Sequence, residues 1–495
     1  MQVSHITDVL QTPALWRLAQ FIRQHREQWP PAEETPDLER FEHELHDHVL
    51  AVERDVLADE LSRYDVAADE VTVDGIPYHR SLESTETYLS AAGPVTVTRH
   101  RYRPAGHHTK SICPLEWRAG IVGGLWTPRA ARQGAFVMAH LTPREGAALF
   151  AELGGMQPSR STLDRLPKTL SARWETKRVG WEEALRARET VPEEAAVLAV
   201  SLDGVMTPML PGVSDEELVP ATSAPHEEPV PTASASSAPR NDREASCGTV
   251  SLYNDEGDRL STVRYGRMPE DKKATLCGQL EAECQSILAL RSALTVVKLA
   301  DGAEENWRFL DHLDLGLDPV ALAQVEQVAI VDFYHAADHL KTACDAIWGA
   351  ESVQSKAEVA RLRTLLKEDD KGVDKVMGRL RYRASRTRGR QRERIEKELT
   401  YFHNQRSRMR YAQYRRDGLP IGSGVVEAAC KTLVTQRLKR SGMRWDMAGG
   451  QAMLTFRSVI QSERWEQAWS LLRDDFRKPV CVATTDGPEA LDPAA

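Results

Sequence analysis

The chain has no apolar run approaching the length of a membrane span, and its start, MQVSHITDVLQTPALW, lacks the charged-then-apolar pattern of a signal segment. Cysteine is scarce. Seven are present, an odd count scattered without any CxxC, which argues against a disulfide framework and fits reduced thiols in a cytoplasmic compartment. A positive net charge is missing too: the formal value is -9. Taken alone, that average speaks against a polyanionic partner.

The average hides an asymmetry. Between Gly372 and Trp445, twenty Lys/Arg stand against six Asp/Glu, whereas acidic residues dominate the N-terminal helices and the stretch from Asp215 to Glu228. Basic density of this kind is the footprint expected for phosphate backbones; an isolated cluster would equally be a solvated helical face. At 495 residues with 41% hydrophobic and 28% charged content, the sequence calls for several globular domains.

Residues 1–66 read as helix, with DLERFEHELHDHVLAVERDVLADELSRY holding an apolar helical period over many turns. Residues 67–116 switch to alternation broken by Gly and Pro, the pattern of a small antiparallel sheet. His107, His108 and Cys113 follow it at a place resembling a zinc ribbon, but with one cysteine a closed tetrahedral site cannot be assembled, so a metal-free remnant is expected. Residues 117–190 return to helix. TPREGAALFAELGGMQPSRSTLDRL has the helix-turn-helix order, its second helix capped by Ser159 or Ser161; two packed helices without a DNA role fit as well.

From 191 to 352 the elements run strand, two hairpin strands, helix, strand, helix, strand. This is the ribonuclease H-like order, so the fold class expected is an α/β ribonuclease H-like core preceded by helical and small β regions. Within it, 213–246 is rich in Pro, Ala, Ser and acid, and is expected to be a disordered insertion. Residues 353–416 read as a basic all-helical insertion. The core resumes over 417–475, and 476–495 reads as a disordered tail.

Three carboxylates stand out in that frame. Asp203 (AVLAVSLDG) and Asp301 (LTVVKLADG) each end an apolar strand-like run, and Glu427 (PIGSGVVEAACK) lies on a helix opened by glycines. Carboxylates at strand C-termini sit where α/β sheets place their chemistry. Three converging ones suit hard divalent cations, Mg²⁺ or Mn²⁺, with two ions expected to serve an in-line displacement at phosphorus. Singly, each Asp-Gly would be only a turn. Asp332 also ends a strand and rivals Asp301 as the second ligand. His335 and His339 share a helix face four residues apart, but no glutamate general base lies between them as in a zinc-protease motif.

The segments SLDG, LADGAEENW, VDFYHAADHL and PIGSGVVEAACKTLVTQRLKRSGMRW resemble blocks of the DDE transposases of Kra-type bacterial insertion sequences, relatives of Mutator-like elements. The resemblance spans roughly 70 to 470 and is tightest in these core blocks. It implies that Asp203, Asp301 and Glu427 form the catalytic, metal-holding triad, and that Asp332 and His335 form a D-x-x-H motif beside it. It favours Asp301 over Asp332, because Gly-Ala and Trp307 follow Asp301 as in the family's second-aspartate block. A cysteine-rich ribbon common in the family is here reduced to Cys113.

The implied activity is hydrolysis at element ends followed by 3′-hydroxyl strand transfer into target DNA. The partners would be double-stranded terminal repeats and target, bound by a homodimer or larger assembly in the cytoplasm. Arg437, Lys439, Arg440 and Arg444 are expected to clamp DNA beside the scissile phosphate. Arg379, Arg381, Arg383, Arg386, Arg388 and Arg390 are expected to grip flanking or target DNA. A nuclease that cleaves without joining, or a catalytically silent DNA-binding derivative, are the alternatives.

Overall fold

The computed structural model describes residues 12–29, 31, 35–104, 111–211, 241–484 and 487–491. It is a mixed α/β protein with two compact units, Met1–Lys177 with Glu466–Ala495, and Arg178–Trp465. Among the described residues, no helix is long and apolar enough to cross a membrane.

The first unit opens on a helical hairpin, Pro13–Glu27 against Leu38–Arg63. Its seam is aromatic, with Phe21 packed on Phe41 and His48 at centroid distances of 5.6 and 4.6 Å. Strands β1 (Glu70–Val73), β2 (Ile76–Ser90) and β3 (Gly93–Pro104) follow. The β1–β2 turn is Asp74–Gly75 with φ of 50° and 78°, the two left-handed residues a tight hairpin needs. Alternate residues of β3 are buried (Val95, Val97, Arg99), as one covered sheet face requires. Short helices at Pro114–Ala119, Pro128–His140 and Pro143–Leu153 come next, the last opened by a Thr142–Glu145 capping box. Ser159 caps the Arg160–Arg186 helix by accepting from the Thr162 amide at 3.2 Å.

The 476–495 segment, expected to be a disordered tail, instead contributes two strands. β9 (Val480–Thr484) pairs with β1 and β10 (Gly487–Leu491) with β9, giving the antiparallel order β10-β9-β1-β2-β3. The physical reason is local: VCVAT is β-prone and β1 would otherwise leave an open edge. Val480 is fully buried against Val66, Val71 and Tyr102. Cys113 is buried among Leu61, Tyr88, Val95 and Leu115, and burial pushes its thiol pKa up. His107 and His108 lie outside the described residues.

The second unit is built on β4 (Val197–Pro208), β5 (Asp242–Tyr253), β6 (Arg259–Arg267), β7 (Thr295–Ala300) and β8 (Gln327–Val331), in the order β6-β5-β4-β7-β8. β4, β5 and β6 pair antiparallel, while β4, β7 and β8 pair parallel. The Ala274–Leu290 helix crosses from β6 to β7 and buries Leu276, Leu280, Cys284, Ile287 and Leu288 against the sheet. Gly248 lets it approach, since a Cβ there would lie 2.8 Å from Leu280. At the far end of β4, Met209 donates to the Asn241 carbonyl at 2.9 Å, so the strands are already joined where the chain enters and leaves 212–240. Those residues, most of the expected insertion, lie outside the described set; 242–246 are the start of β5.

Helices Phe333–Trp348, Val353–Glu368, Gly372–Ala384 and Gly389–Gln405 follow β8. The chain then returns through Gly424–Ala429, a π-helical turn over Cys430–Thr435, and Met447–Gln461. Just beyond, a buried ion cluster fastens the chain: Arg464 meets Glu283 at 2.5 Å and also Glu189, while Tyr265 donates to Glu283 at 2.7 Å. Burial, reinforced by Glu283, raises the Tyr265 pKa well above normal, so it stays a donor.

Candidate active site

The parallel half of the second sheet lines up its strand ends. Its last registered pairs are Ser201 with Leu299 and Ala300 with Val331. Carried on along the chain, the same registers set Asp203 beside Asp301 and Asp301 beside Asp332. Neighbouring strands lie about 4.8 Å apart, so three aspartates form one row. The sequence leads us to expect Asp203 at the end of its strand, but β4 runs on to Pro208, paired with β5 and met at its last residue by Trp445, which donates to the Pro208 carbonyl at 3.1 Å. Asp203 marks instead the point where β7 has stopped and one flank of β4 is uncovered.

Asp203 Oδ1 accepts from the Gly204 amide at 2.7 Å and Oδ2 from the Cys430 thiol at 3.7 Å. Burial raises its pKa; the Gly204 hydrogen bond works against this, and the charges of Asp301 and Glu427 add to the rise. Asp301 Oδ1 accepts from the Ala303 amide (3.0 Å) and from Asn306 Nδ2 (3.1 Å). Trp307 donates to the Asp301 carbonyl at 2.6 Å, and Arg408 lies 3.8 Å over the Trp307 ring while gripping Asp311. The residues after Asp301 thus clamp its loop.

Asp332 is different. It is fully buried, caps its helix by accepting from the His335 amide at 2.5 Å, and takes a second hydrogen bond from the Ser423 amide. Both carboxylate oxygens are engaged by backbone N–H groups. Phe333 also donates to the Ile421 carbonyl at 2.9 Å, so the end of β8 is bolted to the loop preceding Glu427. Gly422 is needed in that loop, since a Cβ would meet the Tyr334 ring at 2.7 Å; at Gly424 there is open space.

Glu427 is exposed, and Ser423 Oγ donates to its Oε1 at 2.8 Å. Its helix docks through Val426, Ala429, Cys430, Leu433 and Val434 onto Met209, Ala245 and Cys247, a stripe at helical spacing. Cys430, one turn beyond Glu427, is the residue that reaches Asp203. A π-turn follows at once, and the Arg457 guanidinium donates to the Thr432 and Leu433 carbonyls at 3.0 Å. Such turns recur at functional sites.

Tyr401, Glu398 and Cys247 had no signal in the sequence. Tyr401 packs against Gly302, where a Cβ would come within 2.3 Å of its ring, and stacks on His339 at 3.6 Å. His339 Nδ1 in turn contacts Glu398 at 2.6 Å. Cys247 sits opposite Asp203 in the β4–β5 register. Asn306, which holds Asp301, was legible only as part of the LADGAEENW block. His335 is exposed, 5.1 Å from His339 between ring centroids.

Among the proposed DNA contacts, Arg437 requires correction. It is 2% exposed, lies 5.1 Å over the Trp445 ring and donates towards Met443 Sδ. It braces the end of its helix from inside and presents no free head to solvent. Lys439 and Arg444 are exposed and Arg440 is half-buried. Arg379 is engaged by Glu358 at 2.9 Å and Arg383 packs over Trp348 at 4.9 Å, whereas Arg381, Arg386, Arg388 and Arg390 are exposed.

Among the described residues, no group of three or more His, Cys, Asp or Glu is placed so that it could hold a metal ion as it stands. The chemistry of the donor set nonetheless fits a divalent cation: three carboxylates, with no imidazole or thiolate among them.

No protein-family model matches the chain, and no curated protein matches it. One solved structure it is similar to is the Drosophila P element transposase strand transfer complex, at 12% identity and a TM-score of 0.31, over 68% of this chain and 92% of that one.

Proposed function

We propose that the chain is a DDE-type DNA transposase with a ribonuclease H-like core, in which Asp203, Asp301 and Glu427 hold the reaction centre. The observation that carries this reading is the register that sets Asp203 level with Asp301 on adjacent parallel strands, with Cys430, one turn beyond Glu427, reaching Asp203. The resemblance of the four sequence blocks to Kra-type transposases gives that geometry its reaction class.

Mg²⁺ or Mn²⁺ bound by the three carboxylates would supply the charge that activates a water or 3′-hydroxyl and stabilises the leaving oxygen. The chain's own residues supply order. Asp332 ties β8 to the Gly-Ser-Gly loop, Ser423 orients Glu427, and Asn306 orients Asp301. Lys439, Arg444 and the exposed arginines at 381, 386, 388 and 390 are the groups available to hold DNA phosphates.

The test uses duplexes carrying the DNA that flanks this reading frame. The full-length protein should cleave them in Mg²⁺ and join the freed 3′-end to a second duplex. Alanine at Asp203, Asp301 or Glu427 should lower both steps at least about 100-fold without loss of DNA binding. Cleavage without joined product would indicate a nuclease. DNA binding with no cleavage, unchanged by the three alanines, would indicate a non-catalytic derivative.

A further inference from the structure

Two consecutive lysines, Lys272 and Lys273, adopt left-handed φ values of 49° and 54° just before the Ala274–Leu290 helix. Non-glycine residues rarely sit there, and pairs of them rarer still; such strain persists where the surroundings over-determine it. The turn drives Lys273 inward. Its residue is 8% exposed, and Nζ lies 2.9 Å from Glu244 Oε1 and 3.1 Å from Asn306 Oδ1. Asn306, itself 3% exposed, donates from Nδ2 to Asp301 Oδ1 at 3.1 Å.

Glu244 closes the other side. It lies over Gly204, the residue after Asp203, where a Cβ would come within 2.1 Å of Oε1. One buried ammonium therefore links the strand beside Asp203 to the amide that orients Asp301. An asparagine amide can rotate by a half-turn, and a donor on its oxygen fixes which end faces the carboxylate.

We propose that Lys273 is a positioning residue for Asp301: by donating to Asn306 Oδ1 it forces Nδ2 towards Asp301 and holds that carboxylate in place for a divalent cation. The inference rests on the reading of Asp203, Asp301 and Glu427 as cation ligands. Charge alone would act in the opposite sense, because removing a nearby ammonium makes a cation site more attractive. The two roles therefore predict opposite outcomes.

The experiment measures free Mn²⁺ by electron paramagnetic resonance with full-length protein and no DNA. Lys273→Met and Asn306→Ala should each weaken the site about 10-fold or more, the scale of lost second-layer support for metal ligands, and Lys273→Arg should recover most of the loss. Mn²⁺ affinity unchanged or tightened in Lys273→Met, in protein whose circular dichroism matches wild type, overturns the proposal. If Lys273→Met does not fold, unchanged affinity in Asn306→Ala overturns it equally. Wild-type binding that Asp203→Ala leaves intact would remove the cation reading itself, and this inference with it.

Discussion

The two five-stranded sheets of this protein divide their labour by strand direction. In the antiparallel sheet, successive C-termini alternate between the two edges, so acids at strand ends are scattered. In the other sheet, β4, β7 and β8 run the same way; β7 and β8 stop nearly level while β4 continues, and the shared register brings Asp203, Asp301 and Asp332 to one height. Parallel pairing converts three separate Asp-x sequence features into one polar row. The two half-buried members, Asp203 inside β4 and Asp301 just past β7, are the candidates for ligands. The third, fully buried, became a fastener.

The comparison can be broken most severely at the far edge of the mixed sheet. Arg464→Ala leaves Glu283 buried without its cation, and is expected to cost about 3–5 kcal/mol, measured by urea unfolding. Loss below 1 kcal/mol would mean the ion cluster does not hold β6. On the antiparallel side, ending the chain after Pro479 removes β9 and β10 and exposes the Val480 site. We expect about 2 kcal/mol, the value of burying one such side chain, with the proposed DNA cleavage per folded molecule unchanged. A parallel loss of cleavage would show that the first sheet also serves the chemistry.

A smaller effect has the opposite sign. Burial, then the charges of Asp301 and Glu427, holds the Asp203 carboxyl above its ordinary pKa. An acid whose pKa is raised on folding costs stability once pH climbs past its unfolded value, near the ordinary 3.8 of an aspartate. Asp203→Asn should therefore raise Tm by a few degrees at pH 7, with the gain fading as pH falls towards about 3, while cleavage is lost. A Tm unaffected by pH would remove the electrostatic account. Smallest of all, Glu83→Ala on the solvated face of the antiparallel sheet should change stability by less than about 0.5 kcal/mol and leave cleavage alone. That null result is what a sheet without an acid row requires.

Much of this was legible in the residues. The apolar runs ending at Asp203, Asp301 and Asp332 gave strands of the right order, because buried parallel strands are continuous in hydrophobicity. What failed did so for identifiable reasons. Nothing in AVLAVSLDG tells that β5 will carry β4 five residues further. The tail's Pro, Gly and Asp content masked a strand whose formation depends on an edge far away in sequence. Arg437 was misread although a clue was present: it continues the buried stripe of Val426, Cys430, Leu433 and Val434 by one more turn. Tyr401 and Lys273 owe their positions to tertiary contacts and had no local signature.

The hydrogen bond from Met209 to Asn241 has a consequence for chain length. It closes the sheet at the neck of residues 212–240, so the register of β4 and β5 is set before the intervening chain is counted. Each doubling of the length between fixed ends adds only about 0.6 kcal/mol of closure entropy. The neck is in that sense a splice point, where a short turn or a folded module is expected to leave the β4–β5 register unchanged.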